Sequence, residues 1–254
     1  MRPYSKNEGR QFCIKFPEMS DIFRFRRFSV RNSASAMKLG TDSVLLGAAM
    51  SLESSDRTLL DVGCGTGVIA LFAAQRLSEL GPADDSGFRI TAIDTDAPSV
   101  EEASLNFRES EWSAHLQAKL CALQDFRPDE RFDCIFSNPP FFEQSLRNPG
   151  ERESQARHTD TLSYRDLCGF AQEYLSPRGR LSVILPSSTL LQLRRCAASF
   201  SLAPFRIVSI RSRAGKPVSR IIAEFTRERA VGVNPLVEEE MTVEPNQLTQ
   251  KYYL

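Results

Sequence analysis

Histidine and tryptophan are scarce in this chain of 254 residues, with two His and one Trp. Six cysteines occur, and none forms a C-x-x-C pair. That removes the ligand spacing of the common zinc sites, and no metal is expected. No apolar run reaches the ~18 residues that a membrane span needs. The opening stretch "MRPYSKNEGRQFCIKF" lacks a continuous apolar segment before a small-residue cleavage site, so no secretory signal is expected. Unpaired cysteines in apolar surroundings fit a reducing compartment, and a cytoplasmic protein is expected. Cys64 and Cys134 read as buried thiols rather than ligands or bridges.

Net charge is also lacking: 32 Lys and Arg balance 32 Asp and Glu. The balance is uneven along the chain. Residues 23–40 hold Arg24, Arg26, Arg27, Arg31 and Lys38 without an acid, and residues 205–220 hold Arg206, Arg211, Arg213, Lys216 and Arg220 without one. Acids gather elsewhere, as in "EEE" at 238–240. Either basic segment alone reads equally well as a solvated face; together they point towards a polyanionic partner.

With 41% hydrophobic and 25% charged residues, the length suits one α/β domain with a small extension. From residue 57 strand-like and helix-like patterns alternate. "RTLLDVG", "FRITAID", "RFDCIFSN" and "GRLSVILP" read as strands. "VIALFAAQRLSEL", "APSVEEASLNFRES", "SYRDLCGFAQEYL" and "SSTLLQLRRCAASF" read as helices. Repeated β-then-α order predicts a parallel sheet with helices on both faces. The last two strands, "FRIVSIR" and "SRIIAEFTR", are joined by "SRAGKPV", which suits a hairpin and makes the final strand antiparallel. The expected division is an N-terminal extension over 1–56, a main domain over 57–226, and a polar tail over 227–254 whose "YYL" docks on the body.

Between the first strand and its helix, "LLDVGCGTG" places Gly63, Gly65 and Gly67, where backbone must bend sharply and approach a ligand. Asp61 ends that strand, close to any cationic or amine-bearing ligand. Asp94 ends the next strand, where a carboxylate can take both hydroxyls of a ribose. An ordinary β-α turn with solvent-facing acids is the bland alternative. Together these residues resemble the S-adenosylmethionine site of class I methyltransferases, which implies a Rossmann-like, seven-stranded, mostly parallel sheet with one antiparallel strand near the C-terminus. Such enzymes often carry an acid after the third strand, near the cofactor's adenine. Here the simplest alignment puts Ala122 there, with Asp125 three residues on, and the contact is open between the Ala122 backbone and Asp125.

After the fourth strand comes "SNPPFF" (137–142). Ligands bind beyond the C-terminal ends of parallel strands, so Asn138 is expected on the same rim as the glycine loop. An exocyclic amine is a poor nucleophile because its lone pair is delocalised into the base. Acceptors on its N–H bonds, the Asn138 side-chain oxygen and the Pro139 carbonyl, pull that nitrogen towards a tetrahedral form. Two prolines keep the acceptors aimed. Phe141 offers a stacking face worth ~1–3 kcal/mol per base. The stretch is similar to the [DNS]-P-P-[FYW] signature of amino methyltransferases.

"AMKLGTDSVLLGA" (36–48), "LLDVGCGTG", "SNPPFF" and "RESQARHTDTLSYRDL" (152–167) together resemble the bacterial tRNA(Val) adenine-37 N6-methyltransferase family, over most of residues 23–186. The resemblance implies methyl transfer from S-adenosylmethionine to adenine N6 in a tRNA anticodon loop; a monomer is expected. It also implies that Thr41 and Asp42 help close the cofactor pocket. Arg24, Arg26, Arg27, Arg31 and Lys38 are candidates for phosphate contact, with Arg211, Arg213 and Lys216 as a second arm. Arg157 and His158 are candidates for a lid over an unstacked base, against a plain surface loop. Two other substrates stay open: guanine N2 of ribosomal RNA, where a His is common at the place of Phe142, and a protein glutamine, where Tyr is usual at Phe141.

Overall fold

The computed structural model describes residues 22–36, 38–81, 87–139, 162–227, 236–244 and Tyr252. The chain opens with a hairpin of β1 (Ile22–Arg24) and β2 (Ser29–Arg31), followed by α1 (Thr41–Ala49). Then come β3 (Thr58–Val62), α2 (Val68–Leu80), β4 (Arg89–Asp94), α3 (Ala97–Arg108), β5 (Leu116–Leu120) and β6 (Phe132–Ser137). The second half runs α4 (Tyr164–Tyr174), β7 (Leu175–Pro186), α5 (Leu190–Ser199), β8 (Leu202–Arg213), β9 (Val218–Arg227) and β10 (Val237–Glu244).

The main sheet has eight strands in the order β10-β8-β9-β7-β6-β3-β4-β5. β7, β6, β3, β4 and β5 are mutually parallel. β9 is antiparallel to both β7 and β8, as the "SRAGKPV" hairpin predicts. The strand beyond the expected seven is β10, which pairs parallel with β8. It hides in sequence because an edge strand shows little apolar alternation. Its acids instead form cross-strand pairs, Glu239 with Arg206 at 2.9 Å and Glu240 with Arg211 at 3.0 Å.

The strands are apolar on both faces because helices cover both. In β6, Cys134 and Phe136 belong to one buried cluster and Ile135 to the other; in β3, Leu59 and Leu60 divide likewise. α1, α2 and α3 meet the first face, α4 and α5 the second. Phe72 on α2 is fully buried and meets Phe25, Phe28 and Tyr252 edge-on, with ring centroids 5.1, 5.2 and 4.9 Å away. Truncating such a ring to Ala costs about 3–5 kcal/mol. The same ring fixes α1 against α2: a Cβ at Gly47 would stand 2.7 Å from Phe72 Cβ. Among the described residues no helix is long and apolar enough to cross a membrane.

The order reverses between β3 and β6, whose C-terminal ends open a crevice. Ser137 Oγ donates to the Val62 carbonyl at 2.7 Å and locks those two ends together. Whatever follows β3 and β6 is therefore held side by side.

Candidate active site

The glycine loop leaves β3 and folds over the end of β4. The amides of Gly63 and Cys64 donate to the Ile93 carbonyl at 2.9 and 3.1 Å, and that of Gly65 to Asp94 Oδ2 at 2.8 Å. Asp94 Oδ1 accepts the amide of Asp96 at 3.0 Å. Asp96 in turn caps α3 by accepting from the Ser99 amide, with Pro98 in the first turn. The glycines have different reasons. Gly63 has φ +70°, and a Cβ there would meet nothing within 4 Å. Gly67 has φ +77°, and a Cβ there would strike Phe107 of α3 at 2.5 Å. Gly63 opens onto a cavity, whereas Gly67 lets α2 begin against α3.

That cavity has a volume of about 370 Å³, within the usual range for small-molecule sites. Gly63, Gly65, Asp94, Cys121, Leu123 and Gln124 are among its walls. Ala36 closes one side. It belongs to a strap, residues 32–36, docked along α3. Glu102 accepts the amides of Ser33, Ala34 and Ser35 at 2.6, 2.8 and 2.9 Å, and Ser99 Oγ accepts that of Ala36 at 3.3 Å. Burial pushes the Glu102 pKa up, but the three amides outweigh it and hold the carboxyl below its ordinary value.

Asp61 lies deeper than the loop glycines. It is buried beneath the loop and is not part of the cavity wall. By strand alternation it shares the face of Leu59, towards α2. Neither carboxylate oxygen has a hydrogen-bond partner. Burial drives its pKa well above the ordinary carboxylate value. The nearby Ala70 amide opposes this without meeting hydrogen-bond geometry, and the Asp94 charge adds to it.

Asn138 stands at the end of β6, beside the glycine loop. It shares a small cleft with Lys38, Ser43 and those glycines. Its Nδ2 donates to Ser43 Oγ at 3.0 Å. Its Oδ1 is buried and has no partner among the described residues. Pro139 is buried directly behind it. Phe141, Phe142, Arg157 and His158 lie outside the described residues.

Three further groups of expected residues lie as follows. Asp125 is exposed and Ala122 half-buried, both absent from the cavity wall, while Gln124 between them lines it. Gln124 Nε2 donates to Asp166 at 3.1 Å, beside the capping box of α4. Thr41 and Asp42 line neither space. Asp42 instead accepts from Arg220 Nε at 2.7 Å, joining α1 to the start of β9. Arg31 stands beside the glycine loop, since Asn106 accepts its amide at 2.8 Å and donates to the Thr66 carbonyl at 2.8 Å, whereas Arg27 is not on the rim. α2 carries the chain to the opposite edge of the sheet, roughly 20 Å away. Arg27 meets Glu79 at that end at 3.7 Å and Glu111 at 2.7 Å; Arg31 meets Glu109 at 2.6 Å. β8 and β9, by contrast, turn on the rim, which carries Arg211, Arg213 and Lys216 there. Cys64 and Cys134 are buried thiols as expected; burial pushes the Cys134 pKa up to about 12 and Cys64 well above its ordinary value. Neither is a nucleophile at neutral pH.

Residues that sequence reasoning missed are Ser43, Gln124, Glu102 and the strap it holds. A serine inside an apolar helix start and a glutamate among the acids of α3 carry no signal of their own.

The chain matches the methyltransferase small domain family over residues 33–193. It is 35% identical to the tRNA1(Val) (adenine(37)-N6)-methyltransferase of Phocaeicola vulgatus, over 91% of this chain and 97% of that one. It is 37% identical to the same-named protein of Parabacteroides distasonis, over 80% and 83%. Among solved structures it is similar to a predicted O-methyltransferase from Agrobacterium tumefaciens, with TM-score 0.55 and 16% identity over 80% and 85% of the two chains. A Listeria monocytogenes chain assigned to the class I S-adenosylmethionine-dependent methyltransferases gives TM-score 0.55 and 12% identity over 79% and 62%. At such identities the two structures speak for the fold alone. The chain belongs to the methyltransferase small domain family.

Proposed function

We propose that this methyltransferase of the small domain family methylates the exocyclic N6 of adenine 37 in the anticodon loop of a tRNA, with S-adenosyl-L-methionine as methyl donor. The substrate rests on the names of relatives that span nearly the whole chain. The observation that carries the chemistry is the buried, unpartnered Oδ1 of Asn138 beside the cavity.

The cavity fits the donor. Its size is that of a nucleoside-based cofactor, and Gly63 leaves backbone open to a close-lying ligand. Asp94 would hold the ribose hydroxyls, and Cys121, Leu123 and Gln124 would border the adenine. When bound, S-adenosylmethionine supplies a methyl group activated by its sulfonium charge. Asn138 Oδ1 would accept one N–H of the target amine and the Pro139 carbonyl the other, which localises the lone pair on nitrogen. Holding the amine in line towards the cavity supplies much of the rate. Phe141 would stack on the base. Lys38, Arg211, Arg213 and Lys216 would contact phosphates, while single-stranded anticodon-loop nucleotides are free to unstack. The working form is a cytoplasmic monomer.

The test is incubation with labelled donor and bulk unmodified tRNA or rRNA, followed by nucleoside mass spectrometry. N6-methyladenosine in tRNA is expected, and Asn138→Ala should lower its rate of formation much more than donor binding. N2-methylguanosine in rRNA, or label on a protein glutamine, would overturn the reading.

A further inference from the structure

The two ends of an Asn amide are nearly isosteric, yet only one can serve here. With Nδ2 facing the target amine, donor would meet donor and the lone pair would gain nothing. The N–H of the target amine therefore selects the Oδ1 end, and what remains is to hold the amide in place. Among the described residues one side-chain hydrogen bond does so, from Nδ2 to Ser43 Oγ at 3.0 Å. With Nδ2 so engaged, Oδ1 is left buried and unpartnered. We propose that Ser43 is a positioning residue, which holds the Asn138 amide in place through one end while the other faces the amine. The inference rests on the function proposed above.

Ser43 is suited to the task. It lies in the first turn of α1, is 9% exposed, and borders the cleft that holds Asn138. Its helix is fixed at three places: Asp42 to Arg220 at 2.7 Å, the Gly47 carbonyl to Arg76 at 3.0 Å, and the close approach of Gly47 to Phe72. A hydroxyl on so constrained an element holds its partner to a narrow set of angles. β6 and α1 are ninety-five positions apart in sequence at this contact.

The experiment measures single-turnover methylation of unmodified tRNA by the parent protein, Ser43→Ala, Asn138→Ala and the double variant. Donor affinity is measured by calorimetry on each. Ser43→Ala is expected to slow methylation roughly tenfold, the effect of leaving a buried donor without its partner. Donor affinity should stay within about twofold, which also reports an intact fold. In the Asn138→Ala background, adding Ser43→Ala should change nothing, because Ser43 acts through Asn138. A parent-like rate for Ser43→Ala would overturn the proposal, as would an equal slowing in the Asn138→Ala background or a loss of donor affinity. A parent protein that leaves tRNA adenine unmethylated would instead overturn the function on which it rests.

Discussion

Asp94 Oδ2 accepts the amide of Gly65 at 2.8 Å, so the last residue of β4 holds the loop that follows β3. The carboxylate is both a wall of the cavity and the anchor of its floor. Asp94→Ala is expected to weaken donor binding at least tenfold, since a hydrogen bond to a charged group contributes about 1.5–3 kcal/mol. Calorimetry would read this directly, and unchanged affinity would remove Asp94 from the donor site.

Asp61 predicts a dependence of stability on pH. Its native pKa lies well above the ordinary 3.8 because burial disfavours the charge. The folded state therefore binds a proton that the unfolded chain has released, and the stabilisation present below about pH 4 is lost as pH rises towards the native value. Asp61→Asn should flatten this decline. Urea unfolding of the donor-free protein at a series of pH values would show it. Parallel curves for the two proteins would contradict the assignment.

Glu102 works in the opposite sense. Its pKa is held below the ordinary 4.5 by the strap amides, so its contribution is present at neutral pH and fades as pH falls through the native value. Glu102→Gln places an amide N–H₂ against backbone N–H groups and should cost about 1–3 kcal/mol. Because Ala36 closes the cavity, donor affinity should fall as well. Denaturation together with calorimetry checks both; a stability loss with full donor affinity would separate the strap from the pocket.

The two basic segments should behave differently towards RNA. Arg213→Glu with Lys216→Glu, on the rim hairpin, should weaken tRNA binding and reduce its salt slope by about 0.7–0.9 for each phosphate no longer neutralised. Arg24→Glu with Arg27→Glu, on the N-terminal hairpin whose Arg27 meets Glu79 at the far end of α2, should leave the slope unchanged. Filter binding at several salt concentrations decides, and a reduced slope for the second pair would bring the N-terminal hairpin back into the interface.

The reach of the sequence and its limit have one physical origin. Alternating β and α periodicities, the glycine loop and the Asn-Pro-Pro turn are local signals, and each sits within a few residues of the position it specifies. They determined the parallel sheet, its antiparallel β9, and the meeting of Gly63, Asp94 and Asn138 on one rim, because the ends of parallel strands must share a side. Contacts between distant elements leave no such mark. Asp42 turned to Arg220 rather than the pocket, Gln124 took the wall expected of Asp125, and Arg27 met acids at the far end of α2. Only packing decided these, as it decided that the acids of β10 would pair with arginines of β8 and that Ser43, ninety-five positions away, would hold the amide of Asn138.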